Sequence, residues 1–221
     1  MANDRMGSSG AIGCPIDVRA VCRHTGTVLD LSAPVLQVAQ GLLGAVVRFQ
    51  TVAVRLTEVE AYAGTGDPAA HAVGGPRPST KDLFGSPGTL YCYLSYGVHI
   101  CGNIVCERAG GGSAVLLRAG EIVDGLNEAR QRRPGVPDDR LARGPGCLGQ
   151  AMGWTLASSG LMAGDGYTLL MPPTPPGRIH SGPRVGVSVG HQRPWRFWLD
   201  GEPSVSAYRR SPRAVSSDLT W

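Results

Sequence analysis

Lysine is almost absent: Lys81 stands alone among 21 basic residues, and the other twenty are arginine. Long apolar runs are absent too, none approaching the roughly 18 residues that a membrane span needs. The six cysteines (Cys14, Cys22, Cys92, Cys101, Cys106, Cys147) form no CxxC pair and no Cys/His group at zinc spacing, and the N-terminus has no apolar h-region of a signal peptide. These absences leave an intracellular protein with reduced thiols, no membrane segment, no secretion signal and no bound metal. Charged residues reach only 17%, below the roughly 25% usual in soluble domains, yet 42% of the 221 residues are hydrophobic, which excludes disorder and suffices for one core. The 32 glycines and 17 prolines follow no three-residue period, so they read as turns between many short strands. The net charge of +4, carried by arginine, suits an anionic partner or simple solubility.

Along the chain, residues 1–27 show no sustained periodicity and are expected to form a mobile leader; 28–206 form one domain and 207–221 a polar tail. Ser32 can cap a helix that Pro34 opens and that Val35, Val38, Ala39, Leu42 and Leu43 continue until Gly44. Strands are predicted over 45–49 and 53–61, and Leu90–Leu94 and Val98–Cys106 make a β-hairpin with Tyr96 at its tip. A strand over 114–119 precedes a helical stretch from Glu121 to about Arg132, and closing strands span 184–189 and 195–200.

Alternation along the second strand puts Glu58 and Glu60 on one face with Val54 and Leu56. Two neighbouring carboxylates on an apolar face repel, which raises the pKa of one and makes a general base; a solvated or arginine-paired edge fits the residues equally well. Four of six tyrosines, Tyr62, Tyr91, Tyr93 and Tyr96, crowd around this strand and the hairpin. Stacking on an aromatic face is worth about 1–3 kcal/mol per nucleic-acid base, comparable with the cost of unstacking one, so such walls suit a base held outside its duplex. Tyr91 also suits a cross-strand pair, whereas an aromatic at a turn tip suits a wedge.

The run Glu58-Val59-Glu60-Ala61-Tyr62, His71, the stretch Pro87-Gly88-Thr89-Leu90-Tyr91-Cys92-Tyr93, Tyr96-Gly97, Asn103 and Val115-Leu116-Leu117-Arg118-Ala119 together resemble the alkyladenine (3-methyladenine) DNA glycosylases. Gly144-Pro145-Gly146, Arg184-Val185-Gly186-Val187 and Pro194-Trp195-Arg196-Phe197 extend the resemblance to roughly residues 30–205. It implies a single α+β domain with a curved, mostly antiparallel, partly barrel-like sheet, packed helices and a protruding hairpin. It implies a monofunctional enzyme that needs no cofactor, acts as a monomer on double-stranded DNA carrying damaged purines, and requires no protein partner. By position, Glu60 corresponds to the base that activates water, with Arg118 and the main chain of Val185 holding that water. Tyr62, His71 and Tyr93 correspond to the walls around the flipped base, the main chain near Ala69 to a hydrogen-bonding partner, Asn103 to the group that rejects guanine, Leu116 to a pocket wall and Tyr96 to the wedge. The scarcity of lysine agrees with hydrolysis, since a lyase step needs a Schiff-base amine. Ser79-Thr80 stand where the family has an Arg-Asn pair, and Leu83 where it has methionine, which removes a DNA-backbone contact that Arg77 or Lys81 could replace. His99 is a further candidate for a minor-groove contact. Two rivals follow from the residues alone: a module that flips bases without cutting, and a carbohydrate hydrolase using Glu58 and Glu60 as acid and base.

Overall fold

A computed structural model describes residues 29–171 and 176–214; the expected leader over 1–27 lies outside them. Helix α1 (Val35–Gly41) buries Val35, Val38 and Ala39. Its capping differs from the expectation: the hydroxyl of Ser32 bonds Asp30, and the Val35 N–H is satisfied by the Glu107 carboxylate at 2.9 Å. The chain then enters β1 (Val46–Phe49) and the twelve-residue β2 (Val52–Ala63), followed by β3 (Leu90–Ser95), β4 (His99–Cys106) and β5 (Ser113–Asp124). Two short helices, α2 (Leu126–Arg132) and α3 (Pro145–Met152), precede β6 (Thr168–Leu170), β7 (Ile179–Gly182) and β8 (Arg196–Leu199).

All the strand pairs are antiparallel, in the order β3-β4-β5-β2-β1-β6, with β8 joining β2 to β7. This pairing does not close the sheet into a barrel. Strand β2 is central: β5 lies along one edge, while β1 and then β8 share the other. Its residues are therefore buried nearly throughout.

Two sequence expectations are corrected, and one helix is added. The stretch from Glu121 to Asp124 continues β5 instead of starting a helix, because Arg55 and Arg48 reach across the sheet edge to Glu121 and Asp124 at 2.7 and 2.8 Å. The helix begins only after Gly125, whose φ of 72° ends the strand. Residues 184–189 form a bent loop in place of a strand: Gly186 has a φ of 73°, and Arg184 is drawn inward by a buried carboxylate. Helix α3 was not anticipated. It packs on β4 so closely that a Cβ at Gly149 would stand 1.9 Å from the Ile100 carbonyl oxygen.

The main core joins α1, the sheet and α3. A smaller cluster of Ala70, Ala72, Leu83, Tyr91, Val105 and Ala114 anchors the 64–85 loop to the sheet, with Tyr62, Phe84 and Tyr93 packed against it. Leu83 is 4% exposed and serves this packing. Among the described residues, no helix is long and apolar enough to cross a membrane.

Candidate active site

The site begins with irregularities in the pairing of β2 with β5. The register shifts on both sides of Glu58, so Thr57 and Arg118 have no direct cross-strand partner. Such bulges re-aim side chains. Here Arg118 is turned onto both carboxylates: its Nε donates to Glu58 at 2.8 Å, and its Nη1 lies 3.3 Å from Glu60.

The two carboxylates differ sharply. Glu58 is fully buried and accepts from Arg118, from Arg196 Nε at 2.6 Å, and from the backbone N–H and hydroxyl of Ser206 at 2.7 and 2.9 Å. Burial alone would raise its pKa, but the guanidiniums of Arg118 and Arg196 outweigh that and hold it below the ordinary 4.5. The expectation of a raised carboxyl therefore fails at Glu58, and a carboxylate held ionised by two guanidiniums is no free acid for a carbohydrate hydrolase. Glu60 accepts from the Val185 N–H at 2.7 Å on one oxygen and from the Tyr62 hydroxyl at 2.9 Å on the other. Burial would lower the pKa of Arg118, but the charges of Glu60 and Glu58 overcome this and raise it, so the guanidinium stays charged.

Above this floor lies a cavity of about 640 Å³. Its surface includes Tyr62, Ala69, His71, Tyr93, Asn103, Leu116, Arg118, Val185 and, at the rim, Tyr96. Glu60 is fully buried and stands one side chain behind, screened by the groups that bind it. Tyr91 and Tyr93 share a face of β3 and stack at 5.8 Å, and His71 meets Tyr93 edge-on at 4.4 Å and Tyr91 through Nδ1 at 3.2 Å. His71 and Tyr93 thus form one wall, and no base fits between them. Burial pushes the Tyr91 hydroxyl up to about 12, raises Tyr93 further, and lowers the His71 imidazole, so all three are neutral at pH 7. Burial and the Glu60 charge likewise keep Tyr62 protonated as a donor.

Asp67 and Arg184, neither given a role in the sequence reading, hold the other wall. Arg184 is fully buried, donates through both terminal nitrogens to Asp67 and at 3.0 Å to the Ala61 carbonyl, and lies 4.6 Å from the Tyr62 ring centroid. Asp67 in turn accepts from the N–H groups of Ala63 and Ala69 at 3.3 and 3.2 Å. The Ala69 N–H is thereby engaged, so its carbonyl is the main-chain group left at that position. Burial would raise Asp67, and Arg184 holds it down.

Asn103 is 6% exposed, with its side-chain amide donating to the Tyr91 carbonyl at 3.1 Å. Tyr96 occupies the hairpin turn with a φ of 50°, followed by Gly97 at 72°, and is 90% exposed. Positive φ at both positions matches the twist of a two-residue hairpin turn. Leu94 and Val98 beside it are exposed as well. His99 lies near the start of α3, against Gly146. Arg77 donates to the Val73 carbonyl at 3.2 Å, bracing its own loop. Among the described residues no group of His, Cys, Asp and Glu is arranged to hold a metal ion, and the described cysteines are free thiols.

A buried carboxylate thus lies under an aromatic-walled cavity, beside an exposed aromatic hairpin. The sequence pattern of the methylpurine-DNA glycosylases matches residues 30–203, and the chain belongs to that family. A relative from Frankia casuarinae is 50% identical over 195 residues, covering 81% of this chain and 92% of its own length. One from Cutibacterium acnes is 46% identical over 190 residues, covering 82% of this chain and all of its own. A third, from Nocardia farcinica, is 50% identical over 186 residues, 80% of this chain and 88% of its own. Each is assigned by name as a 3-methyladenine DNA glycosylase. The chain is accordingly a DNA glycosylase hydrolase of alkylation repair.

Proposed function

We propose that the chain flips alkylated or deaminated purines from duplex DNA into the 640 Å³ cavity and hydrolyses the N-glycosidic bond with a water activated by Glu60. The observation that carries this is the convergence of Tyr62, Val185 and Arg118 on the Glu60 carboxylate at the cavity floor. A carboxylate oxygen accepts two hydrogen bonds, and Oε1 takes one from Val185, so it keeps a lone pair for the water proton. Because the three partners screen Glu60 from the cavity, the water enters as the Val185 or Tyr62 contact opens. Its oxygen bonds to C1′ of the sugar, its proton passes to Glu60, and the purine leaves with the electron pair of the broken bond. Arg118 orients the water, and the carboxylate charge favours the electron-poor sugar in the transition state.

The lesion is held between Tyr62 on one side and the His71–Tyr93 wall on the other, with Ala69 and Leu116 bounding its edges. Asn103 disfavours guanine by crowding its exocyclic amino group. Alkylation at N3 or N7 puts positive charge on the purine, which weakens the bond to the sugar and strengthens stacking on tyrosine. Such a base leaves neutral, whereas hypoxanthine must also gain a proton as it leaves. Tyr96 fills the gap in the duplex. The enzyme works on double-stranded DNA inside the cell, as a monomer, with no metal, organic cofactor or protein partner.

The test is product analysis with duplexes carrying 7-methylguanine, hypoxanthine or 1,N6-ethenoadenine. Free base and an abasic site that breaks only after alkali are expected. Strand cleavage without alkali would contradict hydrolysis, and tight lesion binding with no base released would make the protein a recognition module.

A further inference from the structure

The segment after β8 is strapped onto the active site. The Ser204 hydroxyl meets that of Thr57 at 2.8 Å, and Arg143 donates to the Val205 carbonyl at 2.9 Å. Ser206 binds Glu58 through its N–H and hydroxyl, while its carbonyl accepts from Arg196 at 2.7 Å. Three residues on, the Arg209 carbonyl accepts from the Gly186 N–H at 3.1 Å. Gly186 lines the cavity beside Val185, and a Cβ there would stand 4.0 Å from the Tyr96 hydroxyl. The strap thus runs from the charged floor to the rim and passes one hydrogen bond from the residue next to Val185.

At the rim it changes character. Arg209, Arg210 and Arg213 are exposed. Among the described residues no ion pair engages these three, as is also true of the exposed Arg77, Arg108, Arg140 and Arg178, so what sets them apart is the contact of Arg209 with the cavity rim. The Arg209 carbonyl meets the cavity rim at Gly186, and Arg210 and Arg213 follow it along the chain, so the strap brings a cationic segment to the edge where a polyanion must lie if a base is to enter the cavity. Guanidinium matches phosphate in charge and in planar two-point geometry.

We propose that Arg209, Arg210 and Arg213 clamp the DNA backbone flanking the flipped nucleotide, with the strap coupling that contact to the loop carrying Val185. The inference rests on the base-flipping reading above. It also supplies backbone charge in a chain that has Ser79-Thr80 at one loop and Arg77 turned onto its own backbone.

The experiment measures affinity for an ethenoadenine duplex against salt concentration, for the wild type, the Arg209→Gln/Arg210→Gln double variant and its Lys/Lys counterpart. Each phosphate contact contributes about 0.9 to the slope of log K on log salt, so the Gln pair should lower the slope by about 1–2 and weaken binding about tenfold at moderate salt. The Lys pair should keep the wild-type slope. An unchanged slope in the Gln pair overturns the proposal, including the case where affinity falls through damage to the strap. A wild type that neither binds nor cuts the duplex would instead overturn the base-flipping reading on which the clamp rests.

Discussion

The floor and the rim of the cavity are built on opposite principles. At the floor, Glu58, Arg118 and Arg196 are almost entirely out of solvent, and Glu58 alone takes four hydrogen bonds. At the rim, Tyr96 is almost wholly in water, and Leu94 and Val98 expose about half or more of their apolar surface. Buried charges demand complete pairing and hold one geometry, as a water-activating group requires. Exposed apolar groups at a turn tip gain little until a partner covers them, as a wedge for DNA requires. The difference teaches that floor variants should act on folding and chemistry, and rim variants on binding and base flipping.

The largest expected effect on stability is at the floor. Removing the Glu58 charge with Glu58→Gln leaves two buried guanidiniums undercompensated, at a cost of about 3–5 kcal/mol. For a chain of this size each kcal/mol moves Tm by roughly 2–4 °C, so a calorimetric drop on the order of 10 °C is expected. A drop near zero would break the comparison. The pH dependence follows from the same group. Its folded pKa is depressed below 4.5, so its stabilisation is complete above that value and is lost as pH falls toward the folded pKa. The wild type should therefore lose stability faster than Glu58→Gln in acid below about pH 4.5 in urea titrations.

Next comes the second wall. Arg184→Met leaves buried Asp67 with only the distant Arg193 at 3.7 Å and frees the back of the Tyr62 ring, so both Tm and the excision rate should fall. Excision at wild-type rate would show that Tyr62 is held without Arg184. At the rim, Tyr96→Ala should change stability by no more than about 0.5 kcal/mol, as exposed substitutions do. It should reduce the fluorescence change of a flipping ethenoadenine duplex, with a loss of about 1–3 kcal/mol in the flipping equilibrium. The smallest effect is expected from Asn103→Ser, which should admit guanine; release of normal guanine no faster than by wild type would remove Asn103 from selection.

Legibility in the sequence divides along the same line. The hairpin, α1 and the central strand follow from alternation, helical spacing and turn residues, and the tyrosines stand out by crowding. The floor was only half visible. Glu58 and Glu60 look alike in sequence, and only the bulge that turns Arg118 inward, with Ser206 and Arg196 arriving from the far end of the chain, makes one structural and leaves the other facing the cavity groups. Residues 184–189 alternate valines like a strand, but the burial of Arg184 against Asp67 and the left-handed Gly186 bend them into a loop. Helix α3 is not legible in the sequence because its glycines, poor helix formers in isolation, are required by close packing on β4.

The central claim is that Glu60 activates water while the aromatic walls only hold the base. Its most direct test is single-turnover release of hypoxanthine and 7-methylguanine by wild type and Glu60→Gln, with lesion binding measured beside it. The account predicts a rate loss of at least about 10²–10⁴-fold with binding retained, the range of a lost general base. Release by Glu60→Gln at close to the wild-type rate would contradict it.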